Sequence, residues 1–83
     1  MPTGLIQTQS LAELKQGEHA FFLSISGGRG VLSRLTTLGF TPGAELEMRQ
    51  NFGHGPLVVT IRGTHVALGR EEAKKIVVQK GKL

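Results

Sequence analysis

Residues 34–48 read RLTTLGFTPGAELEM, and this stretch predicts a helix end, a tight turn and the beginning of a strand. Leu35 and Leu38 recur at helical spacing, and Gly39 can take the left-handed conformation at which helices stop. Phe40 follows that glycine, and in a Schellman cap the residue at this position packs on a residue near the helix end, here Leu35. Two apolar side chains and one glycine thus predict the direction in which the chain leaves the helix.

The second half of the same stretch predicts a turn and a strand. Pro42 fixes its own φ, and Gly43 allows the positive φ that the next position of a tight turn requires. Ala44, Leu46 and Met48 then alternate with charged residues, which is the pattern of a strand with one buried face.

The N-terminal residues predict a tail followed by one short helix. Residues 1–9 are mostly polar, and a tail of this kind is either mobile or pairs at the edge of a sheet. Ser10 and Glu13 have the spacing of a capping box, in which each side chain bonds the other residue's backbone N–H. We therefore expect a short helix over residues 11–15.

A strand, a glycine-rich loop and the helix that ends at Gly39 are predicted next. Residues 18–26 are strand-like, and alternation places three apolar side chains on one face and Phe22 on the other. These three are Phe21, Leu23 and Ile25. Residues 27–30 contain three glycines and predict a loop, which leads into a helix over residues 31–38.

The remaining residues predict a hairpin and one further strand. Residues 51–56 are rich in glycine and proline and form a loop, and Arg62-Gly63 predicts the hairpin turn. One polar helical turn precedes the last strand. The predicted strands cover residues 57–61, 64–68 and 76–78. About five short strands, with one short N-terminal helix and one helix inserted after the first strand, predict an all-β fold, a small antiparallel barrel.

Composition limits the function. A chain of 83 residues is one small domain, which buries only about 60 to 65% of its unfolded surface. It contains no cysteine, so disulfides and thiolate metal sites are excluded and a reducing cytosol is compatible. Its apolar runs are far shorter than the roughly 20 residues of a membrane helix, and we expect neither membrane insertion nor a signal peptide. A net charge of +4 favours an acidic partner or serves solubility alone.

No residue pattern predicts catalysis, a metal site or nucleic-acid binding. The glycines at 27–30 are not followed by the Gly-Lys-Ser/Thr of a phosphate-binding loop, so a tight loop, or else a protein contact, is favoured. The three histidines, His19, His54 and His65, have no metal-site spacing, and we expect no cofactor. The chain has no nucleophile elbow and is too small to build a cleft, so we expect no enzyme. Its cations form no run and its only aromatics are four Phe, so we expect no nucleic-acid partner.

The chain resembles the FeoA family, the small SH3-like domain found beside the membrane ferrous-iron transporter FeoB in bacteria. The most specific shared block runs from Arg34-Leu35 through Leu38-Gly39-Phe40 to Pro42-Gly43. Shorter matches lie at Leu11-x-x-Leu14-Lys-x-Gly17, Ile25-x-Gly27-Gly28, Gly55-Pro56, Arg62-Gly63, Val66-Ala67-Leu68 and Glu72-Ala73-x-x-Ile76-x-Val78. The chain departs from the pattern in having Phe21-Phe22 in the first strand and a single arginine before Leu35.

The resemblance implies an SH3-like domain over residues 10–79, with a flexible tail at residues 1–9 and a short tail at residues 80–83. It implies a cytoplasmic, non-enzymatic accessory protein that docks on FeoB and supports or regulates ferrous iron uptake, in a family associated with transition-metal ions. The alternative is a free-standing relative of the C-terminal SH3-like domain of iron-dependent repressors, acting on a transcriptional regulator. A weak homo-oligomer is compatible with either function.

The predicted docking surface consists of residues that the fold does not need, together with the apolar helix beside them. Arg29 lies in the glycine-rich loop and Arg34 at the rim of the buried helix face, where a basic edge beside apolar side chains suits protein docking. Each arginine alone is equally compatible with an ordinary solvated charge. The predicted partner-binding residues are Gly27, Gly28, Arg29, Arg34 and Leu38, and the second candidate is the loop that carries Phe52 and His54.

Overall fold

The structure of the chain, a computed structural model, describes residues 7–27 and 29–80, and for Arg29 the backbone alone. Its strands are β1 Gln7–Ser10, β2 His19–Ile25, β3 Glu45–Gln50, β4 Leu57–Ile61, β5 Thr64–Leu68 and β6 Ile76–Lys80. Its helices are α1 Arg29–Thr37, α2 Arg70–Lys74 and a 3₁₀ helix at Leu11–Glu13. The strands form one antiparallel sheet in the order β1-β6-β2-β3-β4-β5.

The mostly antiparallel fold confirms the all-β prediction, but the described residues form six strands where about five were predicted. The additional strand is β1, which pairs with β6 from Gln7 opposite Lys80 to Ser10 opposite Val77. All four β1 side chains are polar and none is fully buried, so no alternation of apolar residues marked this strand in the sequence. Both β4 and β5 have their predicted limits, and the hairpin turn between them has positive φ at Arg62 (49°) and Gly63 (78°).

The predicted faces of β2 were wrong. Phe22 is 1% exposed and belongs to the core, whereas Phe21 and Leu23 are only half-buried. The pairing with β6 contains a bulge between Phe22 and Ser24, and after it Ile25 lies opposite Ile76. One extra residue in a strand reverses the alternation, and Ile25 consequently packs against the core together with Phe22.

The end of α1 is capped as the sequence predicted. The backbone N–H of Phe40 donates to the Leu35 carbonyl at 3.0 Å, and that of Gly39 donates to Thr36 at 3.0 Å, with φ of +110° at Gly39. This is the hydrogen-bond pattern of a Schellman motif. Phe40 and Leu35 are both buried in the core. The rings of Phe40 and Phe22 pack edge to face, with their centroids 5.7 Å apart.

The turn after this cap joins α1 to the sheet. The Ala44 N–H donates to the Thr41 carbonyl at 2.9 Å across Pro42 and Gly43, and φ at Gly43 is +86°. The Gly43 N–H donates to the Phe22 carbonyl of β2 at 2.7 Å. Ala44 before β3, and Leu46 and Met48 within it, are buried as predicted, and β3 pairs with β4.

Helix placement differs from the prediction at the N-terminal helix and at the start of α1. The N-terminal helix is a 3₁₀ turn, and Ser10 makes no side-chain cap, although Leu11 and Leu14 are fully buried as expected. A 3₁₀ turn of this length satisfies its own backbone with a single bond, from the Leu14 N–H to Leu11. Helix α1 begins at Arg29, inside the predicted loop, and the polar turn at Arg70–Lys74 is the helix α2.

Candidate protein-docking surfaces

Among its described side chains, helix α1 buries one apolar residue and exposes another. Leu35 is fully buried, and Val31 and Leu38 are half-buried and pack against the core. Leu32 lies off this stripe and is 45% exposed. We call Leu32, Arg34 and Leu38 the α1 surface. On this amphipathic helix one large aliphatic side chain, that of Leu32, is therefore exposed to solvent.

Arg34 is not a free surface charge. Its guanidinium pairs with the carboxylate of Glu72 on α2, and its side chain remains more than half exposed. The sequence predicts Arg34 at the rim of the buried helix face, but its partner, 38 positions away, was not predictable from the helix alone.

The glycine-rich segment before α1 is only partly described. Gly27 has φ of +131° and lies near the Lys75 side chain, and the neighbouring Ser26 N–H donates to the Lys75 carbonyl at 2.9 Å. Gly28 lies outside the described residues, as does the side chain of Arg29. Their predicted role in partner binding stays a prediction.

The second candidate, which we call the Phe52 loop (residues 51–56), has the most exposed large apolar side chain in the described part of the chain. Phe52 is 64% exposed, and Gly53, His54, Gly55 and Pro56 are exposed beside it. Positive φ at Gly53 (88°) and Gly55 (74°) lets the backbone turn twice within the loop.

Asn51 fixes the start of the Phe52 loop. Its side-chain amide donates to the carbonyls of Ala12 at 3.1 Å and Leu14 at 2.8 Å. Its side-chain oxygen accepts from the Gly53 N–H at 3.0 Å and from Arg70 at 2.9 Å. Both N–H donors and both acceptor positions of the amide are thereby engaged with protein groups.

Arg70 joins the end of the loop to α2. Besides its bond to Asn51, the guanidinium donates through Nε to the Gly55 carbonyl at 3.2 Å. Glu72 lies two residues further along α2, on the opposite side of the helix, and holds Arg34. One short helix therefore contacts both candidate surfaces, and neither Asn51 nor Arg70 was identified from sequence because their partners lie far along the chain.

Ion pairs compensate most of the acidic side chains. Five of the six glutamates have a basic or histidine partner: Glu18 with Lys80, Glu45 with His19, Glu47 with Arg49, Glu71 with Lys74 and Glu72 with Arg34. The hydrogen bond from Lys80 at 2.6 Å, helped by the Lys15 backbone N–H at 2.7 Å, lowers the pKa of Glu18 below its ordinary value of 4.5. The excess positive charge resides on cations such as Arg70 that have no carboxylate partner among the described residues.

The described residues contain no group of three His, Asp or Glu side chains placed to hold a metal ion. A shallow depression of about 340 Å³ lies beside the base of the Phe52 loop. Its lining residues are Gln16, Gly17, Glu47, Met48 and Arg49, which include no nucleophile paired with a base. Within the described ranges, neither α-helix is long and apolar enough to cross a bilayer.

The fold and the sequence together match one protein family. The profile of the FeoA domain covers residues 9–80 of this chain. The chain belongs to the FeoA family. A curated FeoA relative, provisionally named Fe(2+) transport protein A, from Methanocaldococcus jannaschii is 35% identical over 69 residues, which are 83% of each chain.

Solved FeoA structures share the fold. The zinc complex of FeoA from Stenotrophomonas maltophilia, described as a procaryotic SH3 domain protein, is 31% identical and superposes with a TM-score of 0.75, over 90% of this chain and 99% of that one. A manganese-dependent transcriptional repressor superposes with a TM-score of 0.80 at 23% identity, over 96% of this chain and 44% of the repressor. The FeoA chain thus has the SH3-like fold, which also occurs as part of a longer repressor chain.

Proposed function

We propose that this FeoA protein is a cytoplasmic accessory protein of ferrous iron uptake that acts by docking on the FeoB-type membrane transporter. Membership of the FeoA family supports the process, and the Stenotrophomonas relative has itself been suggested as an activating factor of ferrous iron transport. The observation that carries the docking mechanism is the exposure of Leu32 next to Arg34 on α1. A non-enzymatic protein of this size acts through its surface, and these residues add nothing to its core.

The α1 surface, with Gly27, Gly28 and Arg29 at its start, forms the proposed contact. Arginine is enriched at the centres of protein interfaces, and the exposed Leu32 beside it supplies apolar surface that a partner can bury. The Arg34–Glu72 pair is no obstacle, because a surface ion pair contributes only about 0 to 1 kcal/mol and can be exchanged for a carboxylate of the partner.

The test combines Leu32→Ser with Arg34→Gln and measures affinity for the purified cytosolic part of the transporter. We expect binding at least about tenfold weaker, because the apolar anchor and the charge are both lost. Glutamine is chosen because a reversed charge would oppose Glu72 within the same chain. His65→Ala, an exposed change on β5, is the control and should bind as the unaltered protein does.

Thermal melts must show that the double variant is folded, so that lost binding reports the surface. Equal affinity of the folded double variant would exclude the α1 surface. No binding by the unaltered protein would exclude transporter docking as the function.

A regulatory module acting on an iron-dependent repressor is the second candidate, and the fold shared with the manganese-dependent repressor is compatible with it without favouring it over the first. It predicts affinity of this chain for the purified repressor and none for the transporter. A repressor gene beside the coding gene would favour this function, and a transporter gene would favour the first.

A further inference from the structure

The Phe52 loop carries an exposed aromatic side chain on a backbone that hydrogen bonds hold on both sides of it. Phe52 is 64% exposed, although burying a phenyl ring is among the larger apolar gains available to a small domain. On one side of Phe52, the Asn51 backbone N–H donates to the Gln16 side chain and the Asn51 side-chain oxygen accepts from the Gly53 N–H. On the other side, the Gly55 carbonyl accepts from Arg70. The chain therefore orders the backbone that carries an exposed ring, and the ring adds little to the core.

This order reduces the cost of binding. A loop that is already fixed loses little conformational entropy when a partner covers it, so more of the contact energy appears as affinity. A backbone that is already held presents the ring from a defined place, which suits a shaped protein pocket, whereas a fluid lipid surface does not reward a particular orientation. The hydrogen bonds around Asn51 thus favour a protein partner.

The charge beside the ring indicates the chemistry of that partner. Residues 51–56 contain no acidic side chain, and Arg70 at the base of the loop has no carboxylate within ion-pair distance among the described residues. The Arg70 bonds to Asn51 and Gly55 use neutral acceptors and leave its charge uncompensated. A carboxylate at the rim of an apolar pocket would complement both groups.

We propose that the Phe52 loop is a second docking element of this protein, which inserts Phe52 into an apolar pocket bordered by a carboxylate on the cytosolic part of the iron transporter. The proposal rests on the proposed function for the identity of the partner and adds a second point of contact. In the unbound protein α2 contacts the Phe52 loop through Arg70 and the α1 surface through Glu72, so the two contacts lie on either side of the same short helix.

The experiment compares the unaltered protein with Phe52→Ser and with the control His65→Ser, using the purified cytosolic part of the transporter and calorimetry. Phe52→Ser should weaken binding at least about tenfold, while the control leaves affinity within about twofold. Because Phe52 is exposed, its replacement should leave the melting temperature unchanged. Raising the salt concentration should weaken binding of the unaltered protein, as the Arg70 charge requires.

The outcomes separate this proposal from the proposed function. Binding by the unaltered protein that Phe52→Ser does not weaken overturns the role of the loop and leaves transporter docking intact. No binding by either protein overturns both. Vesicles of phosphatidylglycerol and sedimentation of the protein alone complete the test: if Phe52→Ser abolishes vesicle binding or self-association but leaves transporter affinity unchanged, the loop serves a lipid surface or a second copy and the proposal is wrong.

Discussion

Gly39 is the residue on which the cap of α1 depends most directly. Its φ of +110° is outside the range that β-branched residues adopt, and a Cβ there would approach Arg62 Cδ at 3.3 Å. We expect Gly39→Val to destabilise the protein by roughly 1 to 3 kcal/mol, because strain at positive φ adds to this contact. Chemical denaturation measures the change, and an unaltered midpoint would show that the helix does not depend on this cap.

Gly30 supplies the matched control for that substitution. It lies within α1 without a positive φ, and a Cβ there would meet nothing within 4 Å. Gly30→Ala should therefore leave stability unchanged or raise it by up to about 1 kcal/mol, since alanine restricts the unfolded chain and favours the helix. A loss of stability in Gly39→Val without a loss in Gly30→Ala would attribute the loss to the backbone conformation and surroundings of Gly39.

Glu18 gives stability a dependence on pH. The bond from Lys80 keeps the pKa of Glu18 in the folded protein below its ordinary value of 4.5, so the pair stabilises the fold above that pH and stops doing so as pH falls through the folded pKa. Glu18→Gln should be less stable than the unaltered protein at neutral pH, with the gap closing in acid. Glu13→Gln is the control, because Glu13 makes no ion pair among the described residues. A gap for Glu18→Gln that is constant with pH would contradict this role.

At the scale of elements, the Phe52 loop depends on Asn51 for its attachment. Asn51→Ala removes the donors to the carbonyls of Ala12, within the 3₁₀ turn, and of Leu14, at its end, and also the acceptor for Arg70. Leaving part-buried carbonyls without donors costs about 1 to 3 kcal/mol, and we expect a loss of this size in urea denaturation. Asn51→Asp should lose as much, because it keeps the acceptor but removes both donors, and full stability of this variant would refute the assignment.

Elements with local signals were predictable and those with distant partners were not. The hairpin of β4 and β5 follows from alternation and the Arg62-Gly63 turn, and the α1 cap follows from Gly39 and Phe40, all within a few residues. The bulge in β2 depends on its register with β6, which begins some 50 positions later, and β1 exists only because β6 pairs with it. Register and edge pairing are properties of two strands and leave no pattern in one.

The same distinction holds for the candidate site at the scale of the whole molecule. Phe52 and Arg34 were identified from sequence because an aromatic among glycines, or an arginine beside a helix stripe, is locally unusual. The exposure of Leu32 follows from how α1 sits on the sheet, and the roles of Asn51, Arg70 and Glu72 follow from contacts between separate elements. Sequence therefore located the candidate surfaces, and the structure connected them through α2.

At the scale of the whole molecule, histidine and glutamate are the side chains that could hold a metal ion. None of these side chains lies outside the described residues, and cysteine and aspartate are missing from the sequence. The nearest mixed pair is His19 Nδ1 and Glu45 Oε2 at 3.4 Å on two exposed strand positions, with no third such side chain placed to join it. Two exposed ligands give weak binding, because zinc and iron sites of high affinity use three or four protein donors.

We therefore expect anaerobic calorimetry of the monomer with Fe²⁺ or Zn²⁺ to show no stoichiometric binding at micromolar affinity. Stoichiometric binding that is lost in His54→Ala or His19→Ala would contradict this and locate the site at the substituted residue.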